Sequence, residues 1–414
     1  MRNLCILFLL AGFTIANGQE MLTVEEAVNI ALKNNFGILV ARNDADIAKA
    51  NNTPGNAGML PNLQMTGSGN YEFTKANTSI NAGTQLTWKL FDGGKMFVTK
   101  NKLNEIEALG EIQFKENVLQ TLYTVISAYY DVVRQKQQLN SINEVMHFNQ
   151  EQVKIARAGC DAGSLIKTDL LQARIDLNVT TENAINQQFI IDSAKRHLME
   201  LLGRSPAADI EVTDSIPLNF SPDKKELFQQ VDSSNTTLLS YRKQIDIARL
   251  GVKEFDRLYS PVLNFTSGYY FSQSENSTGS ALNYRSFGPQ FGGNLVIPIY
   301  TAGETKRKIN NAKIQLKSAE YDFQNVQLQV RTDLQNAING FENQQQLLKI
   351  EKENKELTRE NLEISLQRLR LGQTTSLEVH QAQENFVLSC TRLINFEYSL
   401  KIAETKLKQL IATL

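Results

Sequence analysis

The sequence has few of the side chains on which catalysis and metal binding depend. Only three histidines and three cysteines occur in 414 residues, and His147, His197 and His380 lack the spacing of metal ligands. Cys160 and Cys390 lie in different helical runs and are not expected to form a disulfide. The sequence has no nucleophile elbow, no HExxH pattern and no phosphate-binding loop. The residues therefore give no support to an enzyme, and we predict neither a cofactor nor a metal site.

Charge and hydropathy argue against two further classes of protein. The chain has 43 basic and 44 acidic residues and a formal net charge of −1, so nothing points to a nucleic-acid partner. Beyond the N-terminus no apolar run reaches the roughly 18 residues that a membrane-spanning helix needs. Eight prolines and 23 glycines are few for this length, and their scarcity favours long helices.

The N-terminus has the pattern of a secretion signal. Arg2 precedes an apolar run over residues 4–15, and Ala16-Asn17-Gly18 is a small-x-small cleavage site. We predict that residues 1–18 are a signal peptide, with a buried N-terminal helix as the alternative. Cys5 lies inside the predicted signal and well before the cleavage site, so an N-terminal lipid anchor is not expected.

One helix–turn–helix pattern occurs twice. Gly372 is the only strong helix breaker between Asn343 and the C-terminus, which predicts two helices joined by a turn with the glycine in the left-handed conformation. The same turn recurs around Gly163, and Asp169 matches Glu378 at the same offset. We therefore predict an internal duplication.

The predicted organisation is two structural repeats joined by a linker. The first repeat (19–203) contains a strand pair at 62–91, a long helix at 95–159, a tip at 160–168 and a helix at 169–202. A linker at 204–222 follows. The second repeat (223–414) contains a strand pair at 262–299, a long helix at 303–371, a tip at 372–375 and a helix at 376–412.

Both strand pairs alternate apolar and polar residues with the period of a half-buried strand. Strands of about 9–11 residues are long enough to cross a bilayer, and aromatic residues lie near their ends, as in the interfacial girdles of membrane barrels. A pair of soluble hairpins covering the end of a helical bundle is the alternative. The predicted membrane-interface aromatics are Tyr71, Phe73, Trp88, Tyr269, Tyr270, Phe287 and Phe291.

The second long helix has two apolar stripes. One stripe begins at Ile309, and beside it Ile314, Tyr321 and Leu328 recur at seven-residue spacing. Two stripes indicate two lateral neighbours, as in the wall of a helical barrel. The helix before each strand pair and the helix after each tip together match one long helix in length, so we predict that they stack end to end beside it.

Four strands cannot close a membrane barrel. Open strand edges are not tolerated in lipid, and bacterial barrels begin at about eight strands, so several copies of the chain must share one barrel. Two copies would give a barrel filled by its own side chains, whereas three would leave a wider lumen. A pore therefore favours three copies or more.

In their order along the chain, these motifs resemble those of the TolC-like outer membrane efflux protein family. The resemblance extends over essentially all of the sequence after the predicted signal. It rests on residues 22–27, 60–61, 90–94, 260–261 and 297–303 and on both glycine-centred tips.

The resemblance implies a fold and a set of partners. Such proteins are mostly α with membrane β: homotrimers with a shared twelve-stranded barrel in the outer membrane and a long α-helical barrel in the periplasm. The tips close the tunnel and dock a periplasmic adaptor that belongs to an inner-membrane pump. Outer membrane lipid is the remaining partner.

The resemblance also implies roles for residues of the tips. The acidic residues that narrow the entrance fall on Asp169 and Glu378, although charge complementing the helix dipole is an alternative reason for them. Leu369 and Thr374 stand where the best-known member has a gating Tyr and Arg, so a different latch is expected. The implied adaptor contacts are Gly163, Ser164, Leu165, Gly372, Gln373 and Thr374.

We therefore predict an outer membrane exit duct of a tripartite efflux pump or type I secretion system, which conducts substrate passively to the exterior. The alternative is a periplasmic coiled-coil adaptor or structural protein without a channel. Adaptors have one helical hairpin, whereas this chain has two. The sequence does not indicate the cargo.

Overall fold

Long helices and a four-stranded sheet make up most of the computed structural model, which describes residues 20–73, 77–206, 210–276 and 283–414. The predicted signal peptide lies outside these ranges. Within them, no helix combines the length and the apolar character that a bilayer crossing requires.

The order helix–helix–strand–strand–helix–helix occurs twice. The first half contains strand β1 (Glu20–Leu22), helices α1 (Val24–Asn34) and α2 (Phe36–Asn51), strands β2 (Asn62–Glu72) and β3 (Asn77–Phe91), and helices α3 (Lys95–Asp161) and α4 (Lys167–Leu201). The second half contains strand β4 (Ile210–Val212), helices α5 (Lys224–Ser234) and α6 (Thr236–Asp256), strands β5 (Val262–Asn276) and β6 (Tyr284–Val296), and helices α7 (Glu304–Arg370) and α8 (Ser376–Leu410).

The helices of the two hairpins have equal lengths in the two halves. α3 and α7 each contain 67 residues, about 100 Å at 1.5 Å per residue, and α4 and α8 each contain 35. The two long helices end within two residues of the predicted positions.

Two asparagines join the shorter helices end to end. The side-chain oxygen of Asn35 accepts the Ile38 N–H at 3.1 Å and so caps α2, while its amide nitrogen donates to the Leu201 carbonyl, at the end of α4, at 2.7 Å. Asn235 joins α8 to α6 in the same way, through the Leu238 N–H and the Leu410 carbonyl. The predicted end-to-end stacking is therefore held by one side chain at each joint.

Replacing Asn235 with alanine is expected to destabilise the fold by about 2–3 kcal/mol, because the helix cap is lost and the Leu410 carbonyl loses its donor in a buried place. Asn235→Ser is the matched control, since a serine keeps the capping oxygen but is too short to reach Leu410. Hydrogen exchange at the Leu238 amide should be fast in the alanine variant and slow in the serine variant. Equal protection in both would show that the cap contributes nothing.

The helices form one curved layer with two open sides. α3 packs against α2 and α4 on one side and against α6 and α8 on the other, and α7 packs against α6 and α8. Within the described residues no helix covers the outer side of α7, nor the side of α2 and α4 that faces away from α3.

Both open sides are apolar. The outer stripe of α7, as we name it, consists of exposed side chains mostly at seven-residue spacing: Ile314, Tyr321, Leu328, Ile350, Leu357 and Ile364. The outer face of α2 and α4 consists of exposed side chains within a narrow arc of each helix: Phe36, Val40, Ile47, Leu171, Ile175, Val179, Ile185 and Phe189. The first stripe of α7 is covered instead: Ile309, Ala312 and Val330 are buried, and the members between Ala312 and Val330 are half-buried. The second stripe predicted from Ile314, Tyr321 and Leu328 is thus confirmed, and no helix among the described residues packs against it.

The four long strands form one antiparallel sheet in the order β2-β3-β5-β6. β2 and β6 are its edges. One face of the sheet carries Asn, Gln, Ser, Thr and Gly in most positions, and the other carries Leu63, Met65, Ile80, Phe287, Phe291 and Leu295, all exposed. An exposed apolar face of this size marks a surface that contacts lipid or protein.

A short parallel sheet that the sequence does not predict lies in the linker region. β1 pairs with β4 from Glu20–Ile210 to Leu22–Val212. The buried hydroxyl of Tyr129, on α3, donates to the Leu22 carbonyl at 2.9 Å and lies 3.1 Å from the Thr213 hydroxyl. The start of the described chain and the linker are thereby fixed to the middle of α3.

Candidate functional site

Each long helix ends in a turn closed by a glycine. Gly163 and Gly372 have φ of +72° and +68°, in the left-handed region that favours glycine. At both tips the N–H groups of the glycine and of the next residue (Ser164 or Gln373) donate to carbonyls of the last helical turn, at 2.8–3.1 Å. Both turns are Schellman motifs, which fix the direction in which the returning helix leaves.

Asp169 and Glu378 take the same position, the third residue of the returning helix. The Asp169 carboxylate accepts the backbone N–H of Ile166 at 3.3 Å. In the second tip the N–H of Glu378 donates to the Thr375 hydroxyl, also at 3.3 Å. Both carboxylates therefore lie where the partial positive charge of a helix N-terminus favours an anion.

Glu378 has two further partners from its own hairpin. Its Oε1 accepts from Arg368 Nη1 at 2.8 Å, and its Oε2 accepts from the Thr374 hydroxyl. Arg368 also donates to the Gln373 carbonyl at 3.3 Å. The Thr374 hydrogen bond, followed by the charge of Arg368, lowers the pKa of Glu378, so its carboxylate stays ionised to a lower pH than an ordinary glutamate.

Neither Leu369 nor Thr374 forms a latch between the two hairpins. Leu369 is 2% exposed and lies in an apolar cluster with Leu362, Val379 and Phe386. The Thr374 hydroxyl is bonded to Glu378 within its own hairpin. Thr374 therefore has a local role, whereas the cluster of Leu369 also includes Val145 of α3, so Leu369 joins the hairpins by apolar packing rather than by a Tyr and Arg latch.

Other contacts join the two hairpins near the tips. Gln383 of α8 donates to Gln152 of α3 at 3.1 Å, and both side chains are buried. One turn further along, the rings of Phe386 and Phe148 meet edge to face, with centroids 6.0 Å apart. The glutamine contact is polar and the phenylalanine contact is apolar, and together they hold α8 against α3.

One ion pair and one contact between a histidine and a carboxylate cross between the hairpins in the same region. Arg370 Nη2 lies 3.5 Å from Glu151 Oε2, and His380 Nδ1 lies 3.6 Å from Asp176 Oδ2. Asp176 is only 9% exposed. The partners are more than 200 positions apart in the sequence, and no repeating pattern marks them, so sequence analysis missed them.

A groove of about 610 Å³ lies between the two tips. Apolar side chains of both hairpins line it, among them Ile155, Leu165 and Leu371, with Glu151 and Arg370 also in its wall. Of the six residues predicted to contact an adaptor, three line this groove, whereas Gly163, Gln373 and Thr374 do not. The three that line the groove are Ser164, Leu165 and Gly372.

The predicted interface aromatics do not all share one face of the sheet. The strand register places five of them on the apolar face, and Phe73, just after β2, meets the Tyr71 ring edge to face at 4.8 Å. Tyr270 lies on the opposite, polar face, where it pairs with Gly83 and Gly288. Its assignment to the same girdle as Tyr269 was wrong, because successive strand residues point to opposite faces. The five on the apolar face are Tyr71, Trp88, Tyr269, Phe287 and Phe291.

The Tyr270 ring covers two glycines of the polar face. A Cβ built on Gly83 would lie 2.6 Å from the ring, and one on Gly268 would lie equally close. The glycines thus leave room for the ring to lie flat on the sheet.

Within the described residues, no group of His, Cys, Asp or Glu side chains is placed to hold a metal ion.

The sequence matches one protein family over most of its length. The model of the family described as outer membrane efflux protein matches residues 27–204 and 226–413. The chain is 26% identical to the outer membrane efflux protein BepC of Brucella suis over 406 residues, which span 95% of this chain and 86% of that protein. It is 20% identical to the outer membrane protein TolC of Vibrio cholerae over 424 residues, spanning 100% of this chain and 96% of TolC.

The fold resembles a solved structure of the same kind. The crystal structure of the outer membrane protein VceC from Vibrio cholerae superposes with a TM-score of 0.77 at 15% sequence identity, covering 94% of this chain and 96% of VceC. At that identity the likeness shows the fold.

Proposed function

Because this chain belongs to the outer membrane efflux protein family, we propose that three copies assemble into one duct, with the strands in the membrane and the helices in the periplasm. The protein is an outer membrane channel of the efflux and secretion type, with a long periplasmic helical part. The family and the relatives are channels rather than enzymes.

The two open sides of the helical layer support assembly from several copies. The outer stripe of α7 and the outer face of α2 and α4 are both apolar and exposed in the single chain. They are different surfaces at opposite sides of one layer, so the α7 side of one copy can pack against the α2 and α4 side of the next. A head-to-tail contact closes into a ring when the rotation between neighbouring copies divides the full circle, as a rotation of one third does for three copies.

The sheet supports the same arrangement. Its edges, β2 and β6, have no neighbouring strand in the part of the chain that the structure describes, and unpaired backbone groups at a strand edge are not tolerated in lipid. Pairing β6 of one copy with β2 of the next satisfies both edges, and three copies give twelve strands. A barrel of that size has a lumen, whereas eight strands are filled by their own side chains.

The duplication supplies a register for the helical contact. Within one chain α3 packs against α8, with Phe148 against Phe386. The equivalent residues of the opposite halves are Leu357 on α7 and Leu177 on α4. We infer that Leu357 meets Leu177 of the next copy, which places the outer stripe of α7 against α4 of that copy.

The tips are proposed to form the periplasmic mouth and to receive an adaptor of an inner-membrane pump. The groove between them supports docking, because its apolar lining suits a helical partner and its Glu151 and Arg370 can pair with either charge. Asp169 and Glu378 are proposed to narrow the mouth. The contacts of Gln152 with Gln383 and of Arg370 with Glu151 are proposed to hold it closed in place of a Tyr and Arg latch.

A planar bilayer tests the channel and its mouth. The purified protein should give channels of low conductance that prefer cations, because the narrowest part carries carboxylates. Neutralising Asp169→Asn and Glu378→Gln together should raise the conductance or weaken the cation preference. Absence of channels in the wild-type protein would overturn the duct, and unchanged channels in the double variant would overturn the assignment of the mouth.

A further inference from the structure

The acidic residues of the two tips differ in what surrounds them. Glu378 is held by Arg368 at 2.8 Å, and the two side chains are 50% and 45% exposed. The Arg368 guanidinium lies between the Glu378 carboxylate and the Gln373 carbonyl. The charge of Glu378 is therefore balanced by a cation from the same hairpin.

The first tip has no cation at the position equivalent to Arg368; its one lysine, Lys167, lies two residues before Asp169 in α4, so the two side chains do not share a face of the helix. The position equivalent to Arg368 is Gly159, and the position equivalent to Thr374 is Leu165. Leu165 packs so closely over Gly159 that a Cβ on the glycine would lie 2.6 Å from its side chain. Asp169 keeps the backbone N–H of Ile166 as its partner. An internal duplication has thus produced one balanced carboxylate and one carboxylate without an arginine.

We propose that Arg368 sets the charge selectivity of the mouth: it cancels the charge of Glu378, so that Asp169 carries the net negative charge that attracts cations. This inference rests on the proposed function, because it assumes that both tips face a conducting mouth. It makes Arg368 a residue that determines specificity, although sequence analysis did not single it out.

The distances decide how far each charge acts. Two opposite charges 2.8 Å apart form a dipole, whose potential falls off faster with distance than that of a single charge. A single carboxylate acts over about one Debye length, roughly 8–10 Å at 0.1–0.15 M salt. Three copies of Asp169 around one axis therefore act on a passing ion, whereas three Glu378–Arg368 pairs largely cancel. The cancellation holds even though an exposed ion pair adds little to stability.

Reversal potentials in a planar bilayer under a KCl gradient test the proposal. Asp169→Asn should lower the cation-to-anion permeability ratio by about twofold or more at 0.1 M salt. Arg368→Gln should raise the ratio by a similar factor, because Glu378 is then unbalanced. Arg368→Gln combined with Glu378→Gln should leave the ratio at the wild-type value, and so should Arg368→Lys, which keeps the positive charge.

The outcomes separate this proposal from its rivals. If Arg368 does not balance Glu378, Arg368→Gln will leave the permeability ratio unchanged. The ratio of the double variant will then be as low as that of Glu378→Gln alone. If Arg368→Gln merely loosens the mouth, conductance will rise without a higher ratio, and the effect will persist in 1 M salt, where the Debye length is about 3 Å. Either result overturns the proposal. Wild-type protein without channels would overturn the proposed function instead.

Discussion

Replacing Leu328 and Leu357 with glutamate is expected to eliminate the trimer while leaving the hairpins of each chain folded. In the single chain these leucines are 68% and 58% exposed, so the substitution does not disturb the internal core. In the proposed assembly both are buried against the α2 and α4 side of the next copy. Each buried carboxylate without a partner costs several kcal/mol, and the ring would contain six of them.

Light scattering of the detergent-purified protein measures the result, as a loss of the mass of three chains. Circular dichroism should show unchanged helix content. The matched control is Leu377→Glu with Leu388→Glu, two leucines of α8 that are 76% and 54% exposed and lie outside the outer stripe of α7. α8 already has α3 and α7 as neighbours. A double glutamate variant on α7 that remains a trimer would mean that the outer stripe contacts something other than another copy.

The α7 prediction illustrates what could be learned from the sequence. Heptad spacing is a local property of the chain, so two stripes on one helix can be recognised without knowing the neighbours. The structure shows the stripe beginning at Ile309 buried and the stripe of Ile314, Tyr321 and Leu328 exposed. The two turns could also be predicted from the sequence, because a lone glycine between two helical runs indicates a helix end in the left-handed conformation.

Short elements were beyond the same reasoning. β1 and β4 contain three residues each, too few to show an alternating pattern. Their pairing joins parts of the chain about 190 positions apart, and the Tyr129 hydroxyl that holds them lies on a third element. No local pattern carries that information, and residues 204–222 were predicted to be a linker.

At the tips, sequence analysis predicted positions rather than partners. Asp169 and Glu378 occupy equivalent positions in the two repeats, and each lies in the first turn of a helix. That Glu378 is paired with Arg368 depends on the direction of a long, flexible side chain, which spacing alone does not determine. The Tyr270 error is of another kind, because the two-residue period of a strand already separates Tyr270 from Tyr269.

Gly93→Ala is expected to reduce the amount of assembled protein severely. Gly93 lies between β3 and α3 with φ of +71°, and a Cβ there would lie 2.0 Å from the Cβ of Ser260. A left-handed alanine costs about 1–2 kcal/mol, and forcing an atom into occupied space costs roughly another 1–3 kcal/mol. Next to it, buried Asp92 accepts the Met96 N–H at 3.1 Å and caps α3, so a shift of the backbone would also loosen the start of the long helix.

Gly94→Ala is the matched control, because Gly94 has φ of +79° but the nearest atom to its Cβ would be 3.9 Å away. The Gly94→Ala variant has the strain of a left-handed alanine but no steric clash. The temperature at which its trimer dissociates in detergent should therefore fall only a little. The second half shows that φ alone does not demand glycine, since Ala302, the equivalent of Gly93, has φ of +51°. The demand comes from Ser260, and Ser260→Gly should therefore restore most of the trimer lost in Gly93→Ala. If that rescue fails while Gly94→Ala remains mild, the joint between strand and helix is limited by the backbone of Gly93 and not by its contact with the second half.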